Sequence, residues 1–269
     1  MSVKIILSDI DGTILTDDKK VPALTARAMK AVVAKGLKFV LVSARMPEAI
    51  YPITDGIGLE RMPVISYGGG FVLTEDEKVL HDKKMSFDDT KNILAAIDER
   101  WAGVSINYYA GRNWYVRAVD ANIQHEMDIT KATAELADLN KLIDEKILPN
   151  KIMIICEPPI CEEMERELGK LFPALNVVRS APYLLEIMDK SVSKAVGIEI
   201  LLRHYKFGVD DAIAFGDNYN DIEMLEYIPR SVAMGNAPDA IKKIASTVTD
   251  TNANSGIYTY LVKEKIISA

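Results

Sequence analysis

Three histidines, two cysteines and two tryptophans are all that 269 residues hold of those types, and each scarcity excludes something. Cys156 and Cys161 are too few for a disulfide framework, and they read as two buried thiols rather than as a disulfide or a metal pair. His81 and His204 lack a metal-ligand partner spacing, and His125 falls on a predicted helix surface, so all three read as structural. No apolar run approaches the roughly 20 residues that a membrane span needs. The N-terminal stretch MSVKIILSDIDGT lacks the length of a signal h-region and its cleavage site, which predicts a cytoplasmic protein. Positive charge is in deficit: 32 Lys and Arg stand against 39 Asp and Glu, for a net charge of −7. Such a field repels nucleic acid and anionic membranes, so neither is expected as a partner.

What is present suits a soluble globular protein of one large or two modest domains, with 49% hydrophobic and 26% charged residues. In the first third, short apolar runs alternate with helical patterns. VKIIL, LKFVLV and PVISY read as strands. VPALTARAMKAVVAKG reads as a helix with Pro22 near its start and Gly36 as a stop, and Met46 to Ile57 as a second helical stretch. Continuous apolar strands separated by helices argue for a parallel sheet covered on both faces. The last third resumes this pattern. SVSKAVGIEILLRHYKFG, DIEMLEY, DAIKKIAS and GIYTYLVKEKII read as helices, DAIAF and SVAM as strands, and STVTD as a short edge strand. The middle differs: helical patterns such as DTKNILAAIDERW and CEEMERELGKLF mix with strands around tight breaks, as at Ala110-Gly111-Arg112-Asn113. The expected architecture is an α/β protein: a Rossmann-like parallel-sheet core over 1–81 and 188–269, interrupted by an inserted α+β cap over 82–187.

In a parallel α/β sheet, ligands bind outside the carboxyl ends of the strands. VKIIL is followed by Asp9 and Asp11, LKFVLV by Ser43, Ala44 and Arg45, and DAIAF by Gly216, Asp217, Asn218, Asn220 and Asp221. If these strands are neighbours, four carboxylates meet at one edge. Two unit charges about 4 Å apart interact by roughly 4 kcal/mol at an effective dielectric of about 20, so a cation is implied. All-oxygen ligands without an accompanying His or Cys favour Mg2+ over zinc. One aspartate can then be a nucleophile, since carboxylates form aspartyl phosphates, and the other an acid/base. Gly12 lets the backbone turn sharply toward a ligand. Ser43 offers a hydroxyl to a phosphoryl oxygen, and Lys194 a compact positive charge.

In this order DIDGT, VLVSAR, SVSK and GDNYND resemble the four motifs of the haloacid dehalogenase-type phosphatases, over nearly the whole chain. The long insertion between the second and third motifs is similar to the α+β cap of the Cof-type sugar-phosphatase branch. The resemblance implies that Asp9 becomes phosphorylated, while Asp11 protonates the leaving oxygen and then activates water. It implies that Mg2+ is held by the Asp9 carboxylate, the Asp11 backbone carbonyl and Asp217. Ser43, the Ile10 and Ala44 amides, Lys194 and Asn220 would bind the phosphate. Asp221 would orient Lys194 or a metal-bound water. Arg45, beside Ala44, is a supporting candidate from its place after the strand, as a substrate contact or an ion-pair partner. The implied substrate is a small phosphorylated metabolite, foremost a sugar phosphate, and cap closure would exclude water and select the leaving group. Three positions depart from the family pattern. Ala44 and Ala195 stand where Gly is usual but keep their amides, and Gly68 replaces an Asn that would contact substrate.

Each residue taken alone has a structural reading as well. An Asp after a strand can be an Asx-turn or an N-cap, as can Asp221. Ser43 can form a turn, Lys194 can sit on a solvated helix face, and Arg45 can be an ion-pair partner. In INYYAGRNWYVR the residues Tyr108, Tyr109, Trp114 and Tyr115, beside Arg112 and Arg117, read as cross-strand packing before a ligand cage. Two other functions fit the same residues: a phosphomutase on the same phosphoaspartate chemistry, and a catalytically weak phosphosugar-binding module. A pure binder, however, needs neither nucleophile nor acid.

Overall fold

The computed structural model describes residues 3–59 and 61–269. They form two compact units, one within 3–81 together with 193–269 and one of 82–192.

The first unit opens with β1 (Ile5–Ser8), α1 (Ala23–Ala34), β2 (Lys38–Val42), α2 (Pro47–Asp55), β3 (Val64–Ser66), β4 (Phe71–Leu73) and β5 (Val79–Asp82). The second unit follows with α3 (Phe87–Arg100), β6 (Ser105–Ala110), β7 (Asn113–Val116), α4 (Ala121–Thr130), β8 (Glu135–Leu136), α5 (Leu139–Asp144), β9 (Lys151–Ile155), α6 (Pro158–Leu171), β10 (Leu175–Ala181) and β11 (Leu184–Asp189). The chain then returns to the first unit through α7 (Lys194–Tyr205), β12 (Ala212–Gly216), α8 (Ile222–Tyr227), β13 (Ser231–Ala233), α9 (Asp239–Ile244), β14 (Thr247–Val248) and α10 (Gly256–Lys263).

The eight strands of the first unit are ordered β14-β13-β12-β1-β2-β3-β4-β5. Those from β14 to β3 pair in parallel. β1 lies at the middle, with β2 and β3 winding to one side and β12 to β14 to the other, so the winding direction reverses beside β1. Register sets Ser8 of β1 opposite Phe215 of β12 and Leu41 of β2, which brings the three carboxyl ends level. One face buries Ile5, Leu7, Val40, Val42 and Ile65 against Ile198, Leu201 and Leu202 of α7 and Met224 of α8. On the alternate positions Ile6, Phe39 and Leu41 are also fully buried, as β-strands covered on both faces require. Beyond β3 the expected parallel run stops. The turn Tyr67–Gly69 reverses the chain, and β4 pairs antiparallel with β3.

The second unit is a six-stranded sheet, β10-β11-β9-β6-β7-β8, antiparallel except between β7 and β8. Ile106, Tyr108, Ile152, Ile154, Leu185 and Ile187 alternate onto the face that packs on helices α3, α5 and α6. The aromatic hairpin is packed. Tyr108 donates its hydroxyl to the Ile147 carbonyl at 2.7 Å, Trp114 donates Nε1 to Asn107 Oδ1 at 3.0 Å, and Tyr109 stacks on Trp114 with ring centroids 5.6 Å apart. Arg117 pairs with Asp98. Gly111 makes the hairpin turn at φ +60°, where a β-carbon is disfavoured. Both cysteines are free thiols, and burial, followed by the neighbouring Cys161, pushes the Cys156 thiol up to about 12.

Candidate active site

Asp9 continues β1 by one residue, its N–H donating to the Phe215 carbonyl at 3.0 Å, so its side chain emerges where β1 and β12 end together. Lys194, the first residue of α7, reaches the same place. Its Nζ lies 2.5 Å from Asp9 Oδ1 and 2.6 Å from Asp221 Oδ1, and all three side chains are buried. This position of α7 depends on Gly69. A β-carbon there would fall 1.9 Å from the Ser193 carbonyl oxygen, so only glycine, at φ +112°, admits the start of the helix. The GGG run therefore sets the approach of Lys194, while nothing lies within 4 Å of the β-carbon direction of Gly68.

Asp217 follows β12. Thr13 donates its hydroxyl to Asp217 Oδ1 at 2.8 Å, and Gly12, at φ +85°, presses against the same carboxylate. A β-carbon on Gly12 would lie 2.2 Å from Asp217 Oδ2. Asp221, fully buried, closes the loop: its Oδ2 accepts from the Asp217 N–H at 2.9 Å and the Asn218 N–H at 3.1 Å. Its side chain thus both caps the Asn218 turn and pairs with Lys194, and it makes no capping bond to α8.

The electrostatics follow from this crowding. Carboxylate oxygens of Asp9, Asp217 and Asp221 lie within 4.8 Å of one another. Burial, opposed by Lys194 and reinforced by Asp221, holds the Asp9 pKa well above the usual carboxylate range. Burial, opposed by the Thr13 hydrogen bond and reinforced by Asp221, raises Asp217 to about 6. For Lys194, burial favours the neutral amine, but the charges of Asp221 and Asp9 outweigh it and keep the ammonium protonated.

Both oxygens of Asp221 are engaged. Among the described residues no hydrogen bond falls on Asp9 Oδ2 or Asp217 Oδ2. Asp9 and Asp217, two carboxylates with raised pKa values and no His or Cys in their group, are a donor set suited to a hard, oxygen-preferring cation such as Mg2+.

Asp11 is oriented differently. Arg45 grips it with two bonds, Nε to Oδ2 at 2.8 Å and an Nη to Oδ1 at 2.7 Å, and Lys19 Nζ adds a third at 2.8 Å. Burial raises its pKa, but the hydrogen bonds and charge of Arg45 and then Lys19 outweigh that and lower it to about 2. Its carboxylate is not part of the Asp9, Asp217 and Asp221 group. The Ile10 carbonyl accepts from the Thr13, Ile14 and Leu15 N–H groups, which curls the chain immediately after Asp11. Ser43 is buried beside this turn. Its N–H continues the sheet to the Ile65 carbonyl at 2.8 Å, and its hydroxyl accepts from the Arg45 N–H at 3.2 Å, so it is a turn former as well. Ala44 lies between Ser43 and Arg45 on that turn, and Asn220 is exposed on the turn after Asp217.

Sequence reasoning missed Thr13, Lys19, Asn236 and Asn252. Asn236 donates to the Gly12 carbonyl and Asn252 to the Leu15 carbonyl. The signal for the two asparagines was available, because both lie just after strands at the carboxyl edge, in MGN after β13 and TNANS after β14. Thr13 belongs to the DIDGT stretch itself. Lys19 carries no local signal; its contact depends on the Thr16–Lys20 turn.

The chain matches the model of the haloacid dehalogenase-like hydrolases over residues 6–261. A Haemophilus influenzae protein named "Putative phosphatase" is 31% identical over 258 residues, spanning 96% of each chain. The 5-amino-6-(5-phospho-D-ribitylamino)uracil phosphatase of Bacillus subtilis is 26% identical over 96% of each chain. Among solved structures, a haloacid dehalogenase-like hydrolase from Bacteroides thetaiotaomicron superposes with a TM-score of 0.88 at 25% identity, covering 99% of this chain and 100% of that one. No helix among the described residues is long and apolar enough to cross a membrane. The chain belongs to the haloacid dehalogenase-like hydrolases, in their Cof-type phosphatase branch, and is a phosphoric monoester hydrolase acting on small phosphorylated substrates.

Proposed function

We propose that the protein is a Mg2+-dependent phosphatase of small phosphorylated metabolites, foremost sugar phosphates, and that it works through a phosphorylated Asp9. The observation that carries this reading is the buried group at the ends of β1 and β12. There Asp9 is held by Lys194 at 2.5 Å, and its second carboxylate oxygen is left for chemistry. A carboxylate nucleophile attacks phosphorus, the P–O bond to the leaving alcohol breaks, and that oxygen takes a proton from Asp11. Water then attacks the phosphoryl group on Asp9, Asp11 accepts its proton, and inorganic phosphate leaves with Asp9 restored. Lys194, Ser43, Asn220 and the Ile10 and Ala44 amides would neutralise and orient the phosphoryl oxygens.

Mg2+ would be held by Asp9, Asp217 and the Asp11 carbonyl, where it supplies charge neutralisation for the phosphoryl oxygens. Two features of the chain support these assignments. Asp9 and Asp217 have raised pKa values that a cation would reverse, making Asp9 the anion a nucleophile must be. Asp11 is ionised and ready as a base. To act as an acid it must first exchange Arg45 and Lys19 for a proton. The Bacillus subtilis relative is named for a phosphoribitylamino-uracil, which supports a small phosphorylated metabolite as substrate.

Phosphate release measured over a metabolite panel, with Mg2+ present and with chelator, tests the reading. Asp9→Asn should reduce turnover to background while circular dichroism is unchanged, because an amide cannot form the acyl phosphate. Turnover above a trace in the purified variant would remove Asp9 from the role of nucleophile.

A further inference from the structure

The turn that follows β1 is tied down from two loops on the far side of β12. Asn236, after β13, donates Nδ2 to the Gly12 carbonyl at 2.9 Å, and its Oδ1 accepts from the Asn252 N–H at 2.9 Å. Asn252, after β14, donates Nδ2 to the Leu15 carbonyl at 2.8 Å, and its Oδ1 accepts from the Ala253 N–H at 2.9 Å. Each amide therefore uses both its donor and its acceptor end, and Gly12 and Leu15, the two ends of the turn, are each fixed once. The same turn bears on Asp217 through the Thr13 hydroxyl at 2.8 Å and through the close approach of Gly12. A displacement of the Gly12–Leu15 backbone is thus a displacement of the Asp217 carboxylate relative to Asp9.

We propose that Asn236 and Asn252 are positioning residues for phosphoryl transfer, clamping the Gly12–Leu15 turn so that Asp9 and Asp217 keep their working separation. The inference rests on the role given to Asp9 and Asp217 above. Neither asparagine touches a reacting atom. Asn236 is exposed, and an exposed loop side chain contributes little to stability, typically within about 0.5 kcal/mol. Its hydrogen bond acts on alignment, and a misplacement of about 1 Å costs roughly 100-fold in rate.

Steady-state kinetics of the full chain with p-nitrophenyl phosphate and Mg2+ test the clamp in Asn236→Ala, Asn236→Asp and Asn252→Asp. Asn236→Ala, which loses both the donor to the Gly12 carbonyl and the acceptor for the Asn252 N–H, should lower kcat about tenfold. Asn236→Asp, which sets an anionic oxygen against the Gly12 carbonyl, should lower it by up to about 100-fold. KM should change little, and the melting temperature of Asn236→Asp, which keeps the acceptor for the Asn252 N–H, should match the parent. Asn252→Asp keeps its acceptor and loses its donor, and should also act on kcat. If it fails to fold, the two Asn236 variants decide alone. A kcat for Asn236→Asp within twofold of the parent overturns the proposal, as does a loss of kcat that simply tracks loss of melting temperature. Asp9→Asn run in parallel separates the two layers. Residual turnover there overturns the nucleophile, whereas an inactive Asp9→Asn beside an unimpaired Asn236→Asp overturns the clamp alone.

Discussion

Replacing Lys194 by Met removes the only cation that the Asp9–Asp221 pair contacts among the described residues. Lys194 Nζ is 2.5 Å from one carboxylate and 2.6 Å from the other, and the three side chains are almost wholly excluded from solvent. Without it, two carboxylates whose oxygens lie within 4.8 Å face each other in a buried site. At an effective dielectric of about 20 that repulsion is about 3–4 kcal/mol, in the range of about 3–5 kcal/mol lost when one partner of a buried ion pair is removed. The loss has a ceiling, because the pair can take up one proton. For a carboxyl with an unfolded pKa near 4, that uptake costs about 4 kcal/mol at pH 7 and about 1.5 kcal/mol at pH 5. Asp9 is already raised in the parent by burial, and removing Lys194, which opposes that rise, lifts the folded pKa of the shared proton further above its unfolded value. The folded state then binds more protons than the unfolded state, so stability is recovered as pH falls and lost as it rises. Urea unfolding followed by circular dichroism should therefore show Lys194→Met destabilised by about 3–4 kcal/mol at pH 7 and by about 1.5 kcal/mol at pH 5. Adding Asp221→Asn should restore part of the loss at pH 7. A deficit below about 1 kcal/mol at pH 7, or one that does not change between the two pH values, would refute the account of Lys194 as the counter-charge of a buried pair.

Asp217, raised to about 6, lowers stability progressively as pH rises from the unfolded carboxylate value near 4 toward 6. Asp217→Asn should flatten the urea stability profile in that window, and an unchanged profile would count against the shift. Asp217→Ala should raise the Mg2+ concentration needed for half-maximal phosphate release, since an oxygen ligand is lost; full activity of the parent in excess chelator would remove the metal from the mechanism. Gly12→Ala meets both an unfavourable φ of +85° and a β-carbon position 2.2 Å from Asp217 Oδ2. It should lose about 1–2 kcal/mol of stability from the backbone alone and depress turnover by at least tenfold, and retention of parental turnover would show that Asp217 can move freely.

Much of this protein was readable along the chain because its information is local. The apolar runs VKIIL, LKFVLV and DAIAF had to be strands buried on both faces. The residues that follow them had to sit at the carboxyl edge, which is enough to nominate Asp9, Asp11, Ser43, Arg45, Asp217 and Asp221. Gly12 between two polar residues and Gly111 in a hairpin are likewise signals of backbone geometry that one residue carries by itself. The packing of Tyr108 and Trp114 was foreseeable from alternation. What the sequence could not determine is which partner each polar group takes, since that depends on residues far apart in the chain meeting at one point. The reversal at Tyr67–Gly69 and the antiparallel β4 turn on the positive φ of Gly68 and Gly69 and on the approach of Ser193, more than a hundred residues later. That Lys194 pairs with Asp9 and Asp221, while Asp11 goes to Arg45 and Lys19, is a choice between nearby cations. Burial and distance make that choice, since a buried carboxylate takes the cation that the fold delivers to it. Asn236 and Asn252 are polar loop residues in the sequence, and they become a clamp only because β13 and β14 stack beside β12 and turn their carboxyl ends toward Gly12.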